Sequence, residues 1–509
     1  MSKKTPRYFI PIVIVLFLAF LVFSLFTFSF CADDMLIMAR YAKNLVHHGI
    51  WNWNADHDFV EANTSFLYST LMIIPELIGM NDFLFLKIFN LFLFALLIYR
   101  YWQYVTDRRV FLIACALIIF NPFIYIHLYS GFETFLFLFL LTEAAIIVLL
   151  KLPKEKYLYV LLLMLPLTRP EGALFSVIFF ALAAQNGQVV RKYPYFIAMI
   201  LIGGGYMIWR VNYFGYLLPN TFYVKSINDS YIHHLLSLVT IYFNNSPYLF
   251  LLLVLFFITA NFQYRVLVGI SLLLLVFLYY PSALATDIGA RFFSHGAYYL
   301  ILIAFFIFKD IYNKKAFILL AAFLVVLHFS TVVPAYRVIF PYAKDFHYGH
   351  IDIGKRLSKY KDKNYKLMLC EAGAIPYYAD WKAYDLLALC DTYLARHPLT
   401  VAYMEKCNPD VIIVFSNIPD IKGAVVTLSN DKQNTAQKVF FQFLKKHPEY
   451  ELAAIGKRYM NSYNIILLNR KNPDYKSLKA DFAAHQKLSY DKKFSIKQAL
   501  LQKYFIADL

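Results

Sequence analysis

The sequence predicts an α-helical polytopic membrane protein that ends in a water-soluble α/β domain, and three observations carry that prediction. Of its 509 residues 60% are hydrophobic and only 16% are charged, a balance foreign to a soluble multidomain chain. The charges are also unevenly placed: residues 1–330 hold 22 Lys/Arg and 15 Asp/Glu, while the shorter stretch 331–509 holds 27 and 17. Finally, the hydrophobic pattern changes beyond about Pro334, from long uncharged runs to short runs of strand type. The expected division is a membrane domain over residues 1–333, with an external loop at 31–65, followed by an extracytoplasmic domain over 334–509. The net charge of +17 suits a chain lying beside anionic lipid. No basic run interleaves with aromatics, so nucleic acid is not expected as a partner.

The first apolar stretch, Phe9 to Phe30, runs 22 residues without a charge and follows Lys3, Lys4 and Arg7. It is long enough to span a bilayer and too long for a signal-peptide core, so it is expected to remain as the first helix. With the basic N-terminus inside, the chain from Cys31 onward emerges on the outer face. Basic loops at Arg100–Arg109, Lys151–Lys156, Arg191–Lys192, Arg265 and Lys309–Lys315 then read as cytoplasmic. Connections near Glu133, Arg169–Glu171, Asn220–Ser226 and Asp287–His295 fall outside. The parity closes if Phe66 to Arg100 crosses once in net, one half being a short partial helix. That gives about 11 transmembrane helices and an external C-terminus.

In the tail, Tyr365–Cys370, Val411–Phe415 and Tyr463–Leu468 read as strands, and Asn434–Lys446 as a helix. The tail carries no GxGxxG and no P-loop, so a nucleotide site is not expected. Cys390 and Cys407 would share an oxidising compartment; buried free thiols are preferred over a disulfide between them.

Candidate chemistry concentrates in the first external segment, where Asp33 and Asp34 stand together at the end of a membrane helix. Paired carboxylates are costly in that place unless they are solvated or functional. Burial raises a carboxyl pKa toward the range of a general base, which is the expected role of one of the two, Asp33 by preference. Gly203-Gly204-Gly205 reads as close helix packing rather than a phosphate loop. His47-His48 and His233-His234 lack further ligands at a metal-binding spacing, so no metal is assigned through them. A divalent cation on Asp33 or Asp34 stays an alternative to a metal-independent, cofactor-free transfer.

Several strings, taken in order, resemble the GT-C membrane glycosyltransferases related to the mycobacterial arabinofuranosyltransferase AftB. They are Asp33-Asp34 with Arg40-Tyr41-Ala42-Lys43-Asn44-Leu45; Val60-Glu61-Ala62-Asn63-Thr64-Ser65; Ser130-Gly131-Phe132-Glu133-Thr134; Thr168-Arg169-Pro170-Glu171-Gly172; Tyr213 through Lys225; Asp287 through Arg291; and, in the tail, Glu371 through Tyr378 with Asp385 through Asp391. The sequence departs from that pattern at Ala285-Thr286-Asp287, where relatives tend to show Gly-Gly-Asp, and at Glu371, where Asp is usual.

The resemblance implies a GT-C fold in a bacterial inner (cytoplasmic) membrane, with the C-terminal domain on the periplasmic or extracytoplasmic side. It implies an enzyme that moves a sugar from a polyprenyl-phosphate donor to a glycan or glycolipid acceptor. Phosphate contacts would come from Arg40, Lys43, Arg169, Lys225, Arg291 and His295, because a leaving phosphate gains charge in the transition state. Substrate contacts would come from Glu61, Thr64, Glu133, Glu171, Asn220, Tyr223 and Asp287. Trp51, Trp53, Tyr68 and Tyr223 are available to stack on sugar rings. Two alternatives stay open: a transporter or flippase for a lipid-linked sugar, and a membrane glycan polymerase or ligase. A transporter should show inverted repeats and charges in mid-span, and neither is found in the sequence.

Overall fold

The structure, a computed structural model, describes residues 8–105, 108–120, 122–188, 193–225, 269, 342–343, 346–427, 430–458 and 462–490. Expectations for the spans and loops between residues 226 and 341, including Arg265, His233-His234, Asp287, Arg291, His295 and Lys309–Lys315, lie outside the described residues, and so does the side chain of Lys225. The count of about 11 spans is therefore not decided. The chain forms two compact units.

The first unit contains residues 1–30, 83–207 and 228–339. Among the described residues of the chain, three helices are long and apolar enough to cross a bilayer: Phe9–Thr27, Asp82–Tyr104 and Pro194–Phe214. The first leaves Ile10, Ile14, Phe17, Leu18 and Leu25 exposed, the apolar surface that lipid requires. Its other side packs on the helices Arg108–Ile119 and Pro122–Tyr129. Three further helices, Thr134–Leu149, Glu155–Thr168 and Gly172–Gln185, pack on one another. Charge inside this unit is paired: Arg100 Nε donates to Glu143 Oε1 at 2.6 Å. Gly203-Gly204-Gly205 is helical, as expected, with no phosphate loop. The close packing expected there is not seen among the described residues, since a methyl on Gly204 or Gly205 would meet no atom within 4 Å.

The second unit gathers residues 31–82, 208–227 and 340–509 around a mixed sheet. Its strands are β1 (Lys366–Leu369), β2 (Lys382–Asp385), β3 (Val411–Ser416), β4 (Ala424–Val425), β5 (Tyr450–Lys457) and β6 (Tyr463–Asn469), in the order β2-β1-β3-β6-β5, with β4 beside β3. β1 runs parallel to β2 and β3; the pairs β3–β6, β5–β6 and β3–β4 are antiparallel. Three of these strands and the helix Asn430–Lys446 are those the sequence pattern anticipated. All five cysteines are buried free thiols.

Side chains alternate between the faces with the period of two that a strand imposes. Leu367 and Leu369, Val411 and Ile413, and Ile466 and Leu468 enter one core; Met368, Ile412 and Val414, and Ile465 and Leu467 enter the other. Both faces are covered, which is why these strands read as continuous apolar runs. Helices Val401–Cys407 and Asn430–Lys446 cover one face through Met404, Phe440 and Phe443. The other face is covered by Leu478 and Phe482 of the helix Tyr475–Tyr490 and by residues far earlier in the chain: Ile37, Tyr41, Trp51 and Trp53. The sequence placed the 31–65 segment with the membrane domain by continuity; its aromatic side chains belong to the core of the sheet. Two of its polar side chains find partners there. Trp53 Nε1 donates to Ala372 O at 3.2 Å, and Asn54 exchanges two hydrogen bonds with Ala383 on β2. The short helices Phe66–Leu71 and Ile73–Ile78 follow, where a partial helix was expected.

Trp53 is fully buried, so Trp53→Ala should cost about 3–5 kcal/mol of stability, whereas Leu452→Ala, at a half-exposed position, should cost little. Denaturation of the purified protein in detergent checks both. Asp352 accepts from His485 Nδ1 and Arg356 Nε, each at 2.8 Å. Burial acts to raise its pKa, but these two partners outweigh burial and lower it below 3.8. The unfolded chain then binds the proton more readily, so this contribution is complete above about pH 4 and is lost as pH falls through the folded value. The melting temperature of Asp352→Asn should therefore fall less than that of the parent protein between pH 5 and pH 3, with melting curves as the measurement.

Candidate functional site

After the first apolar helix the chain turns at residues 28–34, and the helix Met35–His48 begins, with Asp33 O accepting from Leu36 N at 2.9 Å. Asp33 itself is buried. Its carboxylate accepts from Gly373 N at 3.0 Å through Oδ2 and from Ala374 N at 2.9 Å through Oδ1. His350 Nδ1 stands 3.2 Å from Oδ1. Gly373 is required by this close approach, since a Cβ there would lie 2.1 Å from Asp33 O and 2.5 Å from Oδ2. His350 belongs to a π-helical turn, Phe346–Ile351, and its Nε2 is buried without a hydrogen-bond partner among the described residues. Glu371 completes the group, its Oε1 lying 2.6 Å from Arg458 Nη2. One potential ligand atom from each of Asp33, His350 and Glu371 lies within 4.8 Å of the others.

The electrostatics correct one expectation. Burial does push the Asp33 pKa upward, but His350 and the two N–H groups outweigh it, and the net shift is downward. Asp33 is thus a firmly ionised carboxylate and a weak base. For His350, burial disfavours the imidazolium, while Glu371 and Asp33 favour it more strongly, so its pKa is raised. Burial raises the Glu371 pKa, with Arg458 and His350 opposing it. Asp34 is half-buried and stands at the N-terminus of the helix Met35–His48, where the helix dipole favours negative charge; its side chain does not cap that helix.

The other anticipated residues fall into separate groups. Arg40 is buried, donates through Nη2 to Trp381 O at 2.7 Å and Asn54 Oδ1 at 3.2 Å, and lies over the Trp53 ring. Burial lowers its pKa to about 10, against the pull of Asp380. Lys43 pairs with Asp380 at 3.2 Å and donates to Tyr377 O. Both cations expected at a phosphate therefore hold the helix Met35–His48 to its own unit. Glu61 forms a two-pronged pair with Arg210 at 2.5 and 2.6 Å, and its carbonyl accepts from Asn220 N. Asn220 Nδ2 reaches Ala388 O and Asp391 O, and its Oδ1 accepts from Arg396, which lies over the rings of Tyr216 and Tyr223. Thr64 is exposed.

Within the first unit, Arg169 donates to Glu133 Oε1 at 2.6 Å and to Glu171 Oε1 at 2.5 Å, all three being buried. Pro170 sets this geometry: the residue before a proline avoids helical angles, and Arg169 is extended where the helix Glu155–Thr168 ends. Glu133 and Glu171 each stand at the N-terminus of the next helix. Gly172 lets the turn close, as a Cβ there would meet Leu165 O at 2.2 Å.

Sequence reasoning did not select His350, Arg458, Arg210 or Arg396. Glu371 and Gly373 lay in a quoted string without an assigned role; for His350, 317 positions from Asp33, no local signal existed.

Comparison with known proteins places these groups in a fold. Residues 339–477 match a family model described as a domain of unknown function, DUF8728. No curated protein matches the chain. The crystal structure of ArnT from Cupriavidus metallidurans, bound to undecaprenyl phosphate, is similar over 90% of this chain and 97% of that one, with a TM-score of 0.57 and 10% sequence identity. The chain thus has an ArnT-like GT-C fold, with apolar helices and a sheet-containing C-terminal region.

Proposed function

We propose that the protein is a glycosyltransferase that moves a sugar from a polyprenyl-phosphate donor to a glycan or glycolipid acceptor at the outer face of a bacterial cytoplasmic membrane. The observation that carries this reading is the carboxylate pair at the end of the first apolar helix, with Asp33 held by two backbone N–H groups and His350, and Asp34 standing at a helix start. Two facts support it: the ArnT-like fold, and the polyprenyl phosphate bound in that relative. In this reading the tail and the 31–82 segment stand outside the cytoplasm, as the alternation of basic loops requires.

The roles of the pair divide. Asp34 is the general base and takes the proton of the attacking acceptor hydroxyl. The acceptor oxygen bonds to the anomeric carbon as the bond to the phosphate oxygen breaks, and the electron pair leaves with the lipid phosphate, inverting the configuration. Asp33 fixes the backbone that presents Asp34. Arg169, Lys225, Arg291 and His295 are the proposed phosphate contacts; Arg40 and Lys43 serve structure. Glu133 and Glu171 orient Arg169, and Glu61, Thr64, Asn220, Tyr223 and Asp287 are assigned to substrate. No organic cofactor is called for.

Asp34→Asn should lower transfer by about 10²- to 10⁴-fold while donor binding and thermal stability persist. Asp33→Asn should lower both transfer and melting temperature, because it removes the charge that three donors face. The measurement is transfer from a purified polyprenyl-phosphate sugar in detergent; near-normal rates in both variants would refute the base assignment, and transport without transfer would favour the flippase. Gly373→Ala should reproduce the Asp33→Asn phenotype, since its methyl forces the cradle open.

A further inference from the structure

We propose that Glu76 and Asp82 share one proton through the hydroxyl of Tyr377, and that this bridge is a pH-sensitive latch within the second unit. The geometry carries it. Tyr377 Oη stands 2.6 Å from Asp82 Oδ2 and 3.0 Å from Glu76 Oε1. A phenol has one proton to give, so it satisfies one of these carboxylates and no more. The second short contact is favourable only when that carboxyl brings a proton of its own and donates it to the tyrosine oxygen. Tyr377 itself stays a phenol, since burial and the two acidic neighbours, Asp82 before Glu76, push its pKa well up.

The surrounding charge points the same way. Lys43 Nζ lies 5.2 Å from the centre of the Tyr377 ring, but it pairs with Asp380 at 3.2 Å and donates to Tyr377 O at 3.1 Å. His47 Nε2 lies 3.3 Å from the other oxygen of Glu76, on an exposed ring, and Tyr378 packs edge-on against Tyr377. Three carboxyl groups thus face one permanent cation, and Asp82 is only 5% exposed. Two ionised carboxylates against one oxygen atom would repel with little water between them, and one retained proton removes that repulsion.

The bridge has structural leverage. Glu76 belongs to the helix Ile73–Ile78, Asp82 begins the helix Asp82–Tyr104, and Tyr377 lies in the helix Ala374–Ala379, whose first residue gives its N–H to Asp33. Residues 76–82 are therefore fastened to the element that cradles Asp33. The sign of the pH dependence follows. The unfolded chain releases both carboxyl protons at about pH 4, while the folded bridge keeps one above that. Its contribution is complete in acid and is lost as pH rises through the titration of the pair.

This latch does not depend on the transferase reading, and its test needs no activity. Full-length protein in detergent is melted at about pH 5.5 and about pH 8.5, and the infrared carbonyl absorption of protonated carboxyl groups is recorded over the same range. In Asp82→Asn the amide is a permanent donor to the tyrosine oxygen, so between the two pH values its melting temperature should fall less than that of the parent, by at least about 2 °C. The parent should show protonated-carboxyl absorption in acid that is missing from Asp82→Asn and that fades in the parent as pH rises. Asp362→Asn, at an exposed carboxylate, should match the parent in both readouts. If Asp82→Asn does not fold, Glu76→Gln, on the other side of the tyrosine, decides by the same two readouts. Equal pH dependence in parent and variant, or no absorption lost in the variant, would overturn the proposal and leave Glu76 and Asp82 both ionised.

Discussion

The carboxylate of Asp33 is the constraint on which the rest of the second unit turns. A buried charge is tolerated only when its donors are fixed, and its three donors come from residues 350, 373 and 374. That requirement sets where the helix Met35–His48 begins, and with it the positions of Arg40 and Lys43. It also forbids a side chain at Gly373. Once the helix start is set, the helix lays Ile37 and Tyr41 on the sheet, and the irregular segment that follows lays Trp51 and Trp53 beside them. Electrostatics thus chooses the register, and apolar burial supplies most of the adhesion.

A second pattern repeats at three helix starts. Asp34, Glu133 and Glu171 each precede the first residue of a helix, where the unpaired N–H groups and the dipole favour negative charge. In the first unit one arginine spans two of these positions and binds both. The strings Gly-Phe-Glu-Thr and Arg-Pro-Glu-Gly are therefore parts of a single knot: a helix end opened by proline, a glycine that admits close backbone, and two acids on one guanidinium.

Features governed by local periodicity were legible in the sequence. Uncharged runs gave the apolar helices, and three buried strands announced themselves because both faces of the sheet are covered. Asp33 stood out by its place at the end of a helix. Its partners did not, because His350 is linked to it only by the folding of the chain, and nothing in the string His-Tyr-Gly-His marks which ring is buried. The direction of the Asp33 pKa was misjudged for the same reason: burial can be guessed from a sequence, whereas the donors that reverse its effect cannot. Arg40 is a further case: nothing in the string around it signals that Trp381, Asn54 and Trp53 enclose its guanidinium.

Because Ile37, Tyr41, Trp51 and Trp53 complete a core whose strands begin only at Lys366, synthesis and folding of this unit are out of step. At about 5–20 residues per second, roughly 300 residues must be made, over some 15–60 seconds, before the first strand of that sheet appears, and about 100 more before its last strand is complete. Throughout that interval two tryptophans and a tyrosine wait without their partner surface. The nascent chain must shelter them at the membrane interface, where aromatic rings rest easily, or in the care of a chaperone. Maturation of this protein is thus a late closure over one of its earliest-made segments, and conditions that slow synthesis lengthen the time that segment spends unprotected.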